Sequence, residues 1–310
     1  MGAIPEGLRA RLTAWAGGPI SRRIARWALE LPKVNALEPA LTALNDYQLR
    51  KRSLALRYRA KSGEPLARLL PEAFALVREA ARRTLNMRHF DVQVIGGIAM
   101  FHRSIVEMQT GEGKTLTATL PIYLHALLGK GCHLATVNDY LARRDADWMQ
   151  PAYHALGLTV GVVESQMSRP QRAKAYACDV TYGTAKEFGF DFLRDRLLLR
   201  RVREGQGDVL GSMLGQRQAE HEKPVQREPY FALVDEADSI LIDEARTPLI
   251  ISALPTEEER LAVECYKWSA SVAPQFVEDE DYEFDHEKRS IELTRKGRQN
   301  CRLLPKPPAM

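Results

Sequence analysis

The 310-residue sequence is poor in cysteine, with four: Cys132, Cys178, Cys265 and Cys301. They lie far apart and form no Cys-x-x-Cys pair, which argues against a zinc site or a disulfide framework and reads as reduced thiols in a cytosolic protein. No run of about 18 apolar residues occurs, so no segment reads as a membrane span. The N-terminus carries Glu6 and Arg9 where an export signal needs an apolar stretch. There is no internal repeat. Charge of one sign is also scarce: 44 basic against 40 acidic residues leave a net +4, too mild to imply a nucleic-acid partner. What basic charge there is clusters early, at Arg22, Arg23, Arg26 and Lys33, and again from Arg50 to Lys61.

What is present begins with Met108-Gln109-Thr110-Gly111-Glu112-Gly113-Lys114-Thr115. A short β-type run, residues 104–107, precedes it, and an apolar-periodic helix (Leu116, Leu120, Tyr123, Leu124, Leu127) follows. Strand, glycine turn, Gly-Lys-Thr and helix make the layout that wraps nucleotide phosphates. Gly111 and Gly113 let the backbone turn its N–H groups inward, Lys114 offers a cation to the β- and γ-phosphates, and the Thr115 hydroxyl suits Mg²⁺. Met108 stands where the strict pattern has glycine.

A second motif is Leu233-Val234-Asp235-Glu236-Ala237-Asp238, a hydrophobic strand that ends in two carboxylates about 120 residues after Lys114. Asp235 is the candidate Mg²⁺ ligand and Glu236 the candidate base for the attacking water. A third element is Gln93, about twenty residues before Lys114. Its amide suits the adenine edge, and Phe90 suits stacking on the base.

Around these motifs the chain falls into three stretches. Residues 1–84 read as helical. Ile20, Ile24, Trp27 and Leu31 recur at helical spacing with the arginines off that stripe, a pattern that fits a helix packed on a core or one lying on an anionic membrane. From about 100 to 250, apolar strand candidates at 104–107, 132–137, 158–163, 178–182 and 231–235 alternate with helical segments. Such alternation predicts a parallel sheet covered by helices on both faces, with ligands at the strand ends. Residues 196–229 interrupt this rhythm as a long loop or inserted helix. Beyond them, 248–252 reads as a strand, 257–269 as a helix, and 282–285 with 290–293 as a hairpin across 286–289.

The order Gln93, Lys114, Asp235-Glu236 resembles the first motor domain of superfamily 2 ATPases. Longer words narrow the likeness: Met87-Arg88-His89-Phe90-Asp91-Val92-Gln93, the run from Gly111 to Pro121, Thr136-Val137-Asn138-Asp139-Tyr140-Leu141-Ala142, Thr181-Tyr182-Gly183-Thr184, Phe192-Leu193-Arg194-Asp195, and Val234 through Ser252. Together they resemble the SecA family of preprotein translocase ATPases, strongly from about 85 to 253.

The resemblance implies an α/β fold: a P-loop, RecA-like parallel sheet flanked by helices, after an N-terminal helical segment and before the start of a small α+β inserted domain. On this basis residues 1–84 form the helical region, 85–252 the first motor domain with its insertion at 196–229, and 253–310 the beginning of a preprotein-binding domain. ATP and Mg²⁺ are the implied cofactors. Phe90, Gln93, Gly111, Glu112, Gly113, Lys114 and Thr115 are the implied nucleotide contacts, Thr115 and Asp235 the Mg²⁺ ligands, and Lys114, Asp235 and Glu236 the catalytic set.

The implied partners are the SecYEG channel, unfolded preproteins and an anionic membrane surface, without nucleic acid and with room for a homodimer. The implied location is the cytoplasm and the cytoplasmic face of the inner membrane. Departures are Ala237 where the family often has Val, a longer 196–229 connection, and no visible second motor domain, arginine-finger segment or C-terminal zinc cysteines. Nucleotide in this family sits between two motor domains, so the first alone is expected to bind ATP weakly and hydrolyse it slowly. The alternatives are an RNA helicase of the DEAD-box type, against which Thr136 to Leu141 argues, and a nucleotide-binding module that does not hydrolyse.

Overall fold

A computed structural model describes residues 7–205, 223–251, 257–285 and 290–306. The chain divides into two compact units, Met1–Leu249 and Ile250–Met310. The first begins with helices α1 (Gly7–Ala16), α2 (Pro19–Ala28), α3 (Leu31–Thr42), α4 (Asp46–Lys61) and α5 (Leu66–Leu85). Local chemistry sets their ends. Pro19 opens α2 with its fixed φ. Asn45 and Gln48 exchange side-chain and backbone hydrogen bonds at the start of α4. Asn86 closes α5 in the left-handed region at φ 56°.

Helix α5 is the buried axle of the unit. Leu69, Phe74, Leu76 and Val77 are wholly inside, and the helix packs on α3, on α7 (Lys114–Ala126) and on α8 (Asp139–Ala155). Helix α6 (Asp91–Phe101) lies against α7 at Gly97, where a Cβ would come within 2.8 Å of the Leu120 side chain and 3.1 Å of Phe74. Only glycine allows that approach.

The sheet has four parallel strands in the order β2–β3–β1–β4: β1 (Cys132–Thr136), β2 (Val160–Val162), β3 (Val180–Thr184) and β4 (Phe231–Val234). Cys132 stands opposite both Val180 and Phe231, so the carboxyl ends of β1, β3 and β4 share one edge. Between the strands run α8, α9 (Arg169–Tyr176) and α10 (Ala185–Gly205). The sequence-predicted alternation and parallel sheet are therefore present.

Three strand expectations fail or shrink. Residues 158–163 pair only from Val160 to Val162. Residues 104–107 form no strand, because no neighbour pairs with them, and Ile105 is 93% exposed. Among the described residues β4 pairs only with β1, and its outer edge faces a cavity of about 900 Å³ that residues 104–108 also line. Residues 248–251 likewise form no strand, and Ser252 lies outside the described residues. The 196–229 segment continues α10 to Gly205, its residues 206–222 lie outside the described residues, and the chain returns at 223. There Asp195 accepts the Val225 and Gln226 N–H groups at 3.0 and 2.8 Å.

The apolar stripe expected in the N-terminal region does not bury as one face. Ile20 is 74% exposed, while Ala25 and Ala28 are the buried residues of α2. The helix ends at Ala28 and α3 starts at Leu31, so Leu31 turns inward on a different axis.

The second unit holds α11 (Glu257–Val272), a hairpin of β5 (Tyr282–Asp285) and β6 (Ser290–Leu293), and α12 (Arg295–Leu303). The expected hairpin forms with Tyr282 opposite Leu293, and its connection, 286–289, lies outside the described residues. Thr294 caps α12 by accepting the Gly297 N–H at 3.1 Å.

Candidate nucleotide site

The phosphate loop ends where α7 begins. Gly111 and Gly113 sit at φ +87° and +82°, a region that L side chains rarely enter. The loop braces itself: the Glu112 carboxylate accepts the Gln109 N–H at 2.8 Å, and the Gln109 carbonyl accepts the Glu112 N–H at 3.2 Å. Thr117 N–H then donates to the Gly113 carbonyl at 3.0 Å, which starts the helix.

Gln93 reaches this loop from α6. Its Oε1 accepts the Phe90 N–H at 2.9 Å, and its Nε2 donates to the Glu112 carbonyl at 2.8 Å. A Cβ on residue 113 would stand 2.5 Å from Gln93 Nε2, so the cradle has room for glycine alone. Gln93 is thus tied to the loop as well as to the start of its own helix, a connection that motif spacing does not disclose. Phe90 is 70% exposed, beside it.

The acidic pair arrives at the end of β4. Ala135 in β1 accepts the Asp235 N–H at 2.9 Å, which extends the ladder by one residue and fixes where Asp235 leaves the sheet. Asp235 Oδ1 accepts the Glu236 N–H at 3.0 Å. Burial raises the Asp235 carboxyl above its ordinary range, and this N–H opposes the shift. Glu236 takes φ +53°, an uncommon conformation for its type. Its Oε1 lies 3.3 Å from Lys114 Nζ. Residues 122 apart in sequence are therefore an ion pair across the site.

The candidate residues line two cavities. Lys114, Asp235 and Glu236 border the one of about 900 Å³. Phe90, Gln93, Gly111, Glu112, Gly113 and Thr115 border a second of about 860 Å³. Residues 105–108 border both, so the two cavities adjoin at the strand-like segment before the loop. The candidate Mg²⁺ ligands border different cavities, Asp235 the first and Thr115 the second. Among the described residues no cluster of three His, Cys, Asp or Glu side chains has metal-holding geometry. Mg²⁺ usually takes one or two protein oxygens and completes its shell with phosphate and water. The tight cradle at Gly113, the Lys114 cation and the Asp235 carboxyl fit a nucleoside triphosphate with Mg²⁺.

Sequence reasoning did not find Trp27 and Trp148, which line the second cavity from α2 and α8. Nothing in their spacing marks them, since only packing of those helices brings them in. His89, in the Met87–Gln93 stretch, carries no sequence signal for its place in the site. Its ring Nε2 donates to the Leu116 carbonyl at 2.9 Å and reaches Thr119 Oγ1 at 3.2 Å, so it joins the start of α6 to α7.

A parallel sheet, a glycine loop opening a helix, and an acidic pair at a neighbouring strand end define a P-loop domain of the RecA-like class. Within that class the chain belongs to the SecA DEAD-like domain family, whose model matches residues 12–302. It is 58% identical over 284 residues to protein translocase subunit SecA 2 of Rhodopirellula baltica, which covers 92% of this chain and 43% of that protein. It is 49% identical over 276 residues to protein translocase subunit SecA of Rubrobacter xylanophilus, covering 89% and 28% respectively. For the SecA subunit of Methylococcus capsulatus the identity is 49% over 294 residues, covering 93% and 30%. The chain spans less than half the length of these curated relatives. The family places it apart from the DEAD-box RNA helicases and implies nucleotide binding. Among the described residues no helix is long and apolar enough to cross a membrane.

Proposed function

We propose that this chain binds ATP with Mg²⁺ and, within a SecA-type translocase, couples hydrolysis to the movement of unfolded preproteins through the SecYEG channel. One observation carries the reading: the Lys114–Glu236 pair at 3.3 Å, which sets the phosphate loop against the acidic strand end. Phe90 and Gln93 take the adenine. The loop N–H groups from Gly111 to Lys114 wrap the phosphates, and Lys114 leaves Glu236 for the β- and γ-phosphates. Thr115 and Asp235 hold Mg²⁺, which when bound neutralises charge on the transferring phosphoryl group. Glu236, released from Lys114, accepts the proton of the attacking water. Residues 253–310 begin the preprotein-binding domain in this reading.

The test is a calorimetric titration of Mg·ATP into the Lys114→Ala variant. A charge-assisted phosphate contact is worth about 1.5–3 kcal/mol, so affinity is expected to fall roughly ten- to a hundredfold. Unchanged affinity would remove the phosphates from this loop.

We also propose that the chain lies against anionic lipid on the cytoplasmic face of the membrane. Trp15 and Ile20 are exposed apolar side chains close in sequence to Arg22, Arg23 and Arg26, a combination that suits an interfacial helix. Replacing Trp15 and Ile20 by Ser is expected to weaken binding to phosphatidylglycerol vesicles severalfold in a sedimentation assay. Equal binding by both proteins would rule this surface out.

A further inference from the structure

Arg78 is the most deeply buried cation among the described residues of the first unit, 1% exposed in the middle of α5. Burying a guanidinium costs several kcal/mol unless its donors are met. Here each nitrogen has a partner. Nη1 donates to Asn35 Oδ1 at 2.6 Å, with the Glu38 carboxylate 3.6 Å away. Nη2 donates to Asp91 Oδ1 at 2.6 Å, and Nε to the His89 carbonyl at 2.9 Å. Asn35 and Glu38 belong to α3, which is packed on α5 and serves as the fixed side. His89 and Asp91 flank Phe90.

This arrangement grips the chain on both sides of the residue placed against the base. His89 is held twice, its carbonyl by Arg78 and its ring by α7. Asp91 is the first residue of α6, so its position sets where that helix starts and where Gln93, in the same first turn, points its amide. Gln93 then spans from Phe90 N–H to the Glu112 carbonyl. Arg78 itself borders neither cavity. A planar fork with donors fixed in one plane can set three acceptors at once, which a lysine ammonium cannot do. Loss of the fork would release the His89 carbonyl and Asp91, leaving the His89 ring bonded to α7 and the Gly111 to Gly113 turn before α7 untouched.

We propose that Arg78 is a positioning residue for base recognition: it holds Phe90 and Gln93 in the register that distinguishes adenine from other bases, and has no part in gripping the phosphates. The inference rests on the reading that ATP occupies the two cavities. A site built to hydrogen-bond one base edge discriminates strongly only while its polar groups are held in place.

The experiment titrates Mg·ATP, Mg·ITP and tripolyphosphate into the unaltered chain, Arg78→Met and Lys114→Ala. For Arg78→Met, ATP affinity is expected to drop about tenfold, the size of one lost oriented hydrogen bond, while ITP and tripolyphosphate stay within about twofold. The preference for ATP over ITP should disappear. Should Arg78→Met fail to fold by circular dichroism, Asp91→Asn takes its place. It removes the charged acceptor at a half-exposed position and should lower the preference in the same direction. Equal losses for ATP and tripolyphosphate, an ATP-over-ITP preference retained in the folded variant, or no such preference in the unaltered chain would overturn the proposal. Lys114→Ala separates the two claims. If it weakens all three ligands while Arg78→Met keeps the preference, the positioning role alone falls. If Lys114→Ala changes nothing, the nucleotide site falls with it.

Discussion

Glu236→Gln is expected to cut steady-state ATP turnover by about 10²- to 10⁴-fold, the usual contribution of a positioned general base, while tightening ATP binding. The two effects have one origin. The Glu236 carboxylate stands 3.3 Å from Lys114 Nζ, so the cation meant for the phosphates is already paired. A nucleotide must displace that pair before Lys114 can reach it. The amide of Gln keeps the size and hydrogen-bonding reach of Glu but carries no charge, so Lys114 is released. Both side chains are partly exposed, at 33% and 42%, and such a pair is worth no more than about 1 kcal/mol. Binding should therefore tighten by up to about fivefold. Phosphate release and an equilibrium titration measure the two halves. Equal background rates for both proteins would show that the chain does not catalyse, and weaker binding by the variant would show that Glu236 does not compete for Lys114.

Acidification to pH 5 is expected to weaken the fold before its arginine-paired glutamates titrate. His89 is fully buried, and burial lowers its pKa to about 4. Its ring Nδ1 has no hydrogen-bond partner, so a proton there would gain none. In the unfolded chain a histidine titrates near 6.5. Between these values the unfolded state takes up a proton that the folded state refuses. The contribution is complete above about pH 6.5 and is lost progressively as pH falls toward 4. The full difference corresponds to about 3 kcal/mol for His89. His125 and His133 are also lowered to about 4 by burial, and they act with the same sign but less strongly because they are partly exposed. Glu38, Glu79 and Glu164 have lowered pKa values through arginine partners, so their stabilisation is lost only below the ordinary glutamate range. Between about 6.5 and 4.5 the histidines therefore dominate the loss, opposed by Asp235, whose raised carboxyl binds a proton more readily folded than unfolded. Urea midpoints at pH 7 and pH 5 measure the drop, and His89→Gln should reduce its slope. Equal midpoints for the unaltered chain at the two pH values would refute the buried neutral state.

What the sequence discloses about this fold is what local chemistry dictates. A Gly-x-Gly-Lys-Thr word has few structural options besides a turn that opens a helix, and the turn at Gly111 and Gly113 is there. Alternating apolar runs and helices lead to the parallel sheet. The hairpin of β5 and β6 follows from two short alternating runs. Where a residue's state depends on a partner distant in the chain, the same reasoning loses its hold. Residues 104–107 have strand composition and no strand neighbour. Ile20 has the right spacing to be buried, but α2 ends at Ala28 and turns its alanines inward instead. For the candidate site, the residue types and order were legible, but not the Lys114–Glu236 pair, the bond from Gln93 to the Glu112 carbonyl, or the division into two adjoining cavities. Arg78 reads as one more helix arginine until α3 and the 89–91 segment close around it.

The unpaired margin of β4 has a consequence for handling the protein. Along one side of Phe231 to Val234 the backbone donors and acceptors meet no strand among the described residues, and both Val234 and Ile105 across the cavity are exposed. Natural sheets blunt such a border with charge, proline or a bulge, and none of these interrupts the Phe-Ala-Leu-Val run. Any extended, apolar stretch of polypeptide finds ready-made ladder partners there, and neighbouring molecules in a concentrated solution are the nearest source. Dilute, cold storage and a charged residue at Ala232, which is solvent-exposed, are the measures that this border recommends.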